Sequence, residues 1–170
     1  MKIQRLFDLL DLYEKEYSQK TDAIAKKEDG KWIRYSSLDY INISWKLSLG
    51  LMSLGLKKGD KVGTISNNCP EWNFTDMGVA QAGMIHVPIY PTLGPDDLKY
   101  VLCHSEIQAL FISDKILYEK NKEIINQCPE IKHIITYKEV AGLKNINVLL
   151  EEGESQQAVS LSFSTACCDS

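Results

Sequence analysis

Apolar positions along the chain alternate between two periods, and the changes of period mark its elements. Leu6, Leu9, Leu10, Tyr13 and Tyr17 recur at helical spacing, with Asp8, Asp11, Glu14 and Lys15 between them. That predicts an amphipathic first helix. Its polar face mixes acids with bases, which favours core packing over a membrane surface. Two short apolar-polar runs, 23–27 and 31–35, flank Glu28-Asp29-Gly30. Asp-Gly suits the positive φ angles of a tight turn, so these runs predict a β-hairpin. Ser36 stands three residues before Asp39, a capping-box spacing, and opens a helix. Leu38, Ile41, Trp45, Leu49 and Met52 form its predicted apolar face, and Gly55 ends it.

Beyond Gly59-Asp60 the pattern becomes repetitive. Runs at 61–66, 85–89, 109–113 and 133–136 read as strands, each starting 24 residues after the last. Helix signals fill the gaps. Pro70 suits a first turn, Trp72, Val79 and Ala82 share compatible faces, and Gly83 is a stop. Pro95-Asp96-Asp97 opens the next helix, with Leu98, Val101 and Leu102 inward. Asp114 caps a third, in which Ile116, Leu117, Ile124 and Ile125 point inward and Pro129 closes the unit. Parallel strands need crossover helices, so the expected class is α/β: a mostly parallel sheet flanked by helices, with the small hairpin near the N-terminus. Residues 138–150 predict a short helix and a last strand at Val148-Leu149-Leu150. Residues 154–170 are rich in Ser and Gln, show no helical period, and are expected to be poorly ordered. The expected division is therefore 1–153 as a partial N-terminal domain and 154–170 as an unrelated tail.

Composition narrows the classes. The 170 residues are 44% hydrophobic and 25% charged, ordinary values for a globular protein. A net charge of −4 argues against nucleic acid as a partner. No apolar run approaches the roughly 20 residues that span a bilayer. The N-terminus lacks the apolar core of a signal peptide, which points to an intracellular protein. The five cysteines, Cys69, Cys103, Cys128, Cys167 and Cys168, show no zinc spacing and are expected to be reduced and mostly buried.

Several blocks occur in an order that resembles the AMP-forming acyl-CoA synthetases. Trp32-Ile33-Arg34-Tyr35-Ser36-Ser37-Leu38 loosely resembles an early family block. Leu54-Gly55-Leu56-Lys57-Lys58-Gly59-Asp60-Lys61-Val62 is a better match, and Gln81-Ala82-Gly83 followed by a strand reaching Pro88 is another. Asp97-Leu98-Lys99-Tyr100-Val101-Leu102 with Ser105 continues the series. Asn68-Cys69-Pro70-Glu71-Trp72 and Pro88-Ile89-Tyr90-Pro91-Thr92 look most like the long-chain fatty acid–CoA ligases. No single block is specific; the ordered set, covering residues 6–150, carries the resemblance.

The resemblance implies a two-step chemistry. A carboxylate attacks ATP to give an acyl-adenylate and pyrophosphate, and coenzyme A then displaces AMP. ATP, Mg²⁺ and coenzyme A are the implied cofactors of the parent enzyme, and a fatty acid is its substrate. The first step joins two anions, so it needs cations and backbone N–H donors around the phosphates. A glycine-rich phosphate loop with its Lys is absent from these 170 residues. Ser160-Leu161-Ser162-Phe163-Ser164-Thr165-Ala166 contains no Gly and no following Lys. The implied ribose-binding Asp and catalytic Lys belong further along such a chain. The expectation is therefore a truncated ligase that is inert alone and holds none of the cofactors tightly. The alternatives are a piece of another acyl- or aryl-CoA ligase and a non-catalytic interaction module. A cytoplasmic location, with room for peripheral membrane contact and homo-oligomers, goes with this reading.

No residue is assigned to catalysis or to a metal. His86, His104 and His133 read as structural, because no carboxylate partner can be placed beside them. Glu71 complements a helix N-terminus, Trp72 fits a core, and Lys57-Lys58 reads as a solvated turn. Tyr90 and Thr92 are the candidate cofactor-binding positions, since they follow the carboxyl end of a strand, where open α/β sheets bind ligands.

Overall fold

The computed structural model describes residues 3–166, with side-chain surroundings through residue 156. Helix α1 (Asp8–Tyr17) opens the chain. Its start is fixed by Asp8, whose carboxylate accepts hydrogen bonds from the Gln4 and Arg5 backbone N–H groups at 2.9 Å and from Arg5 Nε at 2.8 Å. The hairpin pairs β1 (Ile24–Glu28) with β2 (Lys31–Tyr35), antiparallel. Its turn places both Asp29 and Gly30 at positive φ, 48° and 79°, as an Asp-Gly turn requires.

A five-stranded parallel sheet follows: β3 (Lys61–Ile65), β4 (Ile85–Ile89), β5 (Ile107–Ile112), β6 (His133–Thr136) and β7 (Lys144–Asn145). Its order is β4-β3-β5-β6-β7, so the chain steps outward from β3 to β4 and then crosses back to β5. That is a doubly wound arrangement. The register between β3 and β5 shifts at Lys61/Val62, where Gln108 is passed over. The extra residue leaves Ile107 and Leu110 on one face. Alternation then sends Ala109 and Phe111 to the other.

Each face has its own core. Helices α1, α2 (Ser37–Ser53), α3 (Pro70–Gln81) and α6 (Ile146–Ala166) contribute Leu10, Leu47, Leu51, Phe74, Val79 and Leu149 against Val62, Ala109, Phe111 and Ile135. Helices α4 (Pro95–His104) and α5 (Lys115–Ile125) cover the opposite face with Leu98, Leu102, Leu117 and Ile125.

The elements match the sequence pattern closely, and the faces match less well. The Ser36–Asp39 capping box is formed, and the Asp114 side chain accepts from the Leu117 N–H. In α2, however, the expected apolar face is turned outward: Leu38, Trp45 and Met52 are exposed. The buried face is Ser37, Tyr40, Ser44, Leu47, Ser48, Gly50 and Leu51. Close packing explains the choice. A Cβ on Gly78 of α3 would lie 2.8 Å from Leu47 Cδ2 and 2.9 Å from Ser44 O. A helix wedged between two others turns its small residues inward and leaves bulky ones outside. Likewise Ile116 of α5 is 80% exposed, while Leu117 and Ile125 are buried. In α3 the buried set is centred on Phe74, Thr75, Gly78 and Val79, and Trp72 is only partly covered.

The region after residue 144 differs most. The strand expected at Val148-Leu149-Leu150 is helical, and α6 continues through 154–166, where loss of regular structure was expected. Asn145 Oδ1 accepts from the Asn147 N–H and starts the helix. Leu149 and Gly153 then press against α2, where a Cβ on Gly153 would overlap the Lys46 carbonyl oxygen. Gly153 is thus a point of close helix contact. Lys46–Glu154 and Lys144–Glu152 ion pairs, at 3.0 and 2.6 Å, flank it. The last four residues of the expected tail, 167–170, lie outside the described residues.

The cysteines also differ from expectation. Cys103 and Cys128 are joined in a disulfide, with Cα atoms 5.2 Å apart. The pairing could not be read from sequence, because it depends on α4 and α5 lying side by side. Cys69 is free and partly buried.

Candidate functional site

The carboxyl ends of four parallel strands build one rim. β3 runs into Ser66-Asn67-Asn68 before α3, and β4 runs into Tyr90-Pro91-Thr92 before α4. β5 ends at Ser113-Asp114, and β6 at Tyr137-Lys138. Two hollows open along this rim. The first, of about 560 Å³, lies between the β3 and β4 ends and is lined by Ser66, Asn67, Asn68, Trp72 and residues 88–92. The second, of about 400 Å³, lies where the strand order reverses, between the β3 and β5 ends, and is closed by hairpin residues 26–29. Ligands of open α/β sheets bind at such crossover points.

The structure brings both candidate residues to the first hollow. Tyr90 and Thr92 line it, and Tyr90 is 78% exposed. Trp72 forms an aromatic wall. Its ring lies 5.3 Å from that of His86, which the sequence left without a partner. The structure supplies two. His86 Nδ1 lies 2.7 Å from Asp76 Oδ1, and His86 Nε2 lies 2.8 Å from Thr64 Oγ1. Both contacts are satisfied when Nδ1–H donates to Asp76 and Nε2 accepts the Thr64 hydroxyl proton. Thr64 is fully buried, so its hydroxyl is closed to a substrate. The arrangement holds the Trp72 wall and the middle of the sheet rather than activating a nucleophile. Asp76 precedes His86 by ten residues on a different element, a spacing with no sequence signature. His104 stacks on Tyr100 at 5.0 Å, and His133, half-buried beside Lys144 and Lys132, is held below the usual imidazole range chiefly by burial.

Glu71 sits in the first turn of α3, as its sequence position suggested, and has a second role. Its Oε1 accepts from Lys26 Nζ at 2.8 Å, clamping the hairpin to α3 across 45 residues of sequence. Burial pushes the Lys26 ammonium down, but the Glu71 hydrogen bond and charge more than reverse this and leave it above its ordinary value. Lys138 reaches Glu28 at 3.7 Å from the other side. Beneath them Tyr137 donates to Thr75 Oγ1 at 2.9 Å, and Thr75 donates to the Glu71 carbonyl at 2.9 Å. Burial drives the Tyr137 phenol well above its ordinary range. It also raises the Cys69 thiol, which makes that cysteine a poor nucleophile at neutral pH. Neither the hairpin's part in the second hollow nor the Lys26–Glu71 clamp was signalled by sequence.

The first hollow offers amides, hydroxyls and aromatic faces, and the second adds lysine and carboxylate side chains. The stretch 160–166 is part of α6 and forms no phosphate-cradling loop. Among the described residues, no group of three or more His, Cys, Asp or Glu side chains could hold a metal ion. No step of adenylate chemistry is routed through the rim residues.

A doubly wound sheet with hollows on its carboxyl rim is an arrangement in which open α/β proteins bind ligands. Residues 13–164 match the AMP-binding enzyme family, and the chain belongs to that family. It is 29% identical over 149 residues to a long-chain-fatty-acid–CoA ligase of Rattus norvegicus, covering 88% of this chain and 20% of the relative. It is 38% identical over 117 residues to fatty acyl-CoA synthetase A of Dictyostelium discoideum, covering 68% and 16%. The chain thus spans about a fifth or less of the length of these relatives. Among solved structures, an anthranilate CoA ligase in complex with anthranoyl-AMP superposes with a TM-score of 0.77 at 20% identity, covering 87% of this chain and 28% of that one. A luciferase from Phrixothrix hirtus superposes at 0.73 with 17% identity, covering 85% and 34%. These likenesses establish the fold. No helix among the described residues is long and apolar enough to cross a membrane.

Proposed function

We propose that this chain is the leading α/β part of a long-chain fatty acid–CoA ligase. The whole enzyme would activate a fatty acid with ATP and Mg²⁺ to an acyl-adenylate, then pass the acyl group to coenzyme A. The observation that carries this reading is the family match over 13–164, combined with fatty acyl ligases as the relatives found by sequence. The part described here supplies a rigid sheet and a rim bearing Trp72, Tyr90 and Thr92 beside Asn67 and Asn68. Tyr90 and Thr92 are the proposed ligand-facing positions, in the hollow of about 560 Å³. The phosphate-binding and proton-moving groups come from elsewhere in the enzyme, so these 170 residues alone are inert. A cytoplasmic enzyme touching membranes only through its lipid substrate suits this reading.

A second reading is a ligase for another acid, such as an aryl acid. The superposition on an anthranilate ligase supports it, because the fold is shared across acid classes. The test is fatty-acid-dependent pyrophosphate release with ATP and Mg²⁺. It compares the 170-residue protein with a longer one that carries the coding sequence downstream of Ser170. Release by the longer protein alone is expected. Release by the 170 residues alone would overturn the inert assignment, and release only with aryl acids would move the substrate to the second reading.

A further inference from the structure

The bond between Cys103 and Cys128 lies at the opposite end of the sheet from the rim. Cys103 is in the last turn of α4, and Cys128 follows the end of α5. Both helices run back from the rim, so their ends meet beneath the amino ends of the strands. The two sulfurs differ in access: Cys103 is partly exposed, whereas Cys128 is 2% exposed and packed among Leu98, Leu102 and Ile125. Cys103 is thus the more exposed residue of the pair, and Cys128 lies on the core side of the bond. The same two helices are also linked at the rim, where Lys120 Nζ of α5 donates to the Pro91 carbonyl at 3.1 Å, in the loop before α4. The α4–α5 layer is thus fastened covalently at its base, with an exposed hydrogen bond at its top. Breaking the covalent link leaves the contact between the two helices to apolar packing and, among the described residues, to that hydrogen bond.

We propose that Cys103 and Cys128 form a reversible thiol–disulfide site that exchanges with low-molecular-weight disulfides of the glutathione class and sets the stability of the α4–α5 layer. In the reduced protein the Cys103 thiolate attacks a disulfide R–S–S–R. A Cys103–S–S–R bond forms, and one RS⁻ leaves with the electron pair of the broken bond. The Cys128 thiolate then attacks the Cys103 sulfur, expels the second RS⁻, and closes the intramolecular bond. Two protein thiols are oxidised, one R–S–S–R is reduced to two RSH, and the two thiol protons end on the departing sulfurs. The bond closes a loop with a sequence separation of 25 residues, which spans β5 and α5. Cross-linking restricts the unfolded chain, so the oxidised form melts roughly 5–10 °C above the reduced form. This site is independent of the ligase reading.

The experiment equilibrates the full 170-residue protein with mixtures of reduced and oxidised glutathione, quenches with acid, and maps the peptides without reduction. A C69S/C167S/C168S variant retains only the pair and is treated alongside. The expected result is a Cys103–Cys128 linked peptide whose fraction rises with oxidised glutathione, with the melting shift present in both proteins and absent from Cys103→Ser. If the triple variant does not fold, the linked peptide and the melting shift in the unaltered protein decide the matter. A stable mixed disulfide on Cys103 without the linked peptide would overturn the proposal. So would persistence of both thiols under the oxidising mixture, or equal melting of the two forms to within about 1 °C.

Discussion

Replacing Gly153 by alanine separates two opposed effects of known sign. Gly153 lies inside α6, and in an isolated helix the change to Ala gains about 1 kcal/mol of propensity. In the folded protein the new Cβ would overlap the Lys46 carbonyl oxygen, lie 2.8 Å from the Gly50 nitrogen, and lie 3.0 Å from the Lys46 carbonyl carbon. All three are backbone atoms of α2, so no side chain can swing aside. The helices must part by roughly 1 Å, and a gap of that size forfeits a quarter to a half of each dispersion contact along the seam. The seam includes Leu149, Leu47 and Leu51, all fully buried. Overpacking of this kind costs about 1–3 kcal/mol beyond any local gain. Gly153→Ala should therefore lower stability by about 1–3 kcal/mol, seen as a lower urea midpoint at unchanged slope. Gly50→Ala meets the Leu149 carbonyl from the other side and should behave alike. Ser155→Ala, on an exposed face of the same helix, should change stability by only a few tenths of a kcal/mol. A rise in stability for Gly153→Ala would show that α6 does not pack on α2 through this glycine, and would remove the explanation for the inward face of α2.

Other predictions follow from single contacts. Ser36→Ala removes the oxygen that accepts from the Asp39 N–H at 3.0 Å and should cost about 1 kcal/mol in urea unfolding. His86→Leu removes one of the contacts of the buried Thr64 hydroxyl, which also meets the Tyr137 phenol, and should cost about 1 kcal/mol, with a change in Trp fluorescence because the ring lies against Trp72. The Asp8 carboxyl is held down to about 2 by the Gln4 N–H and by Arg5, from an ordinary value of 3.8. A depressed native pKa gives stability that is present above the unfolded value and lost as pH falls through the native one. Thermal melts should show this loss between about pH 4 and pH 2, and Asp8→Asn should flatten that part of the profile.

Local rules located the elements because each element obeys its own chemistry. Asp29-Gly30 could be read as a turn, Ser36 and Asp114 as caps, and Pro70 and Pro95 as helix starts, since each acts on backbone within four residues. The strands could be read because two covered faces leave near-continuous apolar runs such as Ile107 to Ile112. What failed depends on distant partners. The inward face of α2 is set by how closely α3 and α6 approach, so Ser44, Ser48 and Gly50 outrank Trp45 and Met52. Gly153 shows its role only when the Lys46 carbonyl is placed against it. Ile146, Leu149, Leu150 and Gly153 do keep a helical spacing, and that signal was available had the glycine been counted as a contact residue. At the rim, the position of Tyr90 and Thr92 beyond a strand's carboxyl end followed from strand polarity alone. The Lys26–Glu71 clamp and the Asp76–His86–Thr64 line were not, because they join residues on separate elements.

We propose that this α/β unit belongs to an enzyme that makes fatty acyl thioesters. Thioester formation from ATP, Mg²⁺, coenzyme A and a panel of long-chain, medium-chain and aryl acids tests this. A longer protein containing these residues is assayed, with the 170-residue chain beside it. Long-chain acyl-CoA is expected from the longer protein and none from the 170 residues. Thioester from aryl acids alone, or from the 170 residues themselves, would overturn the proposal.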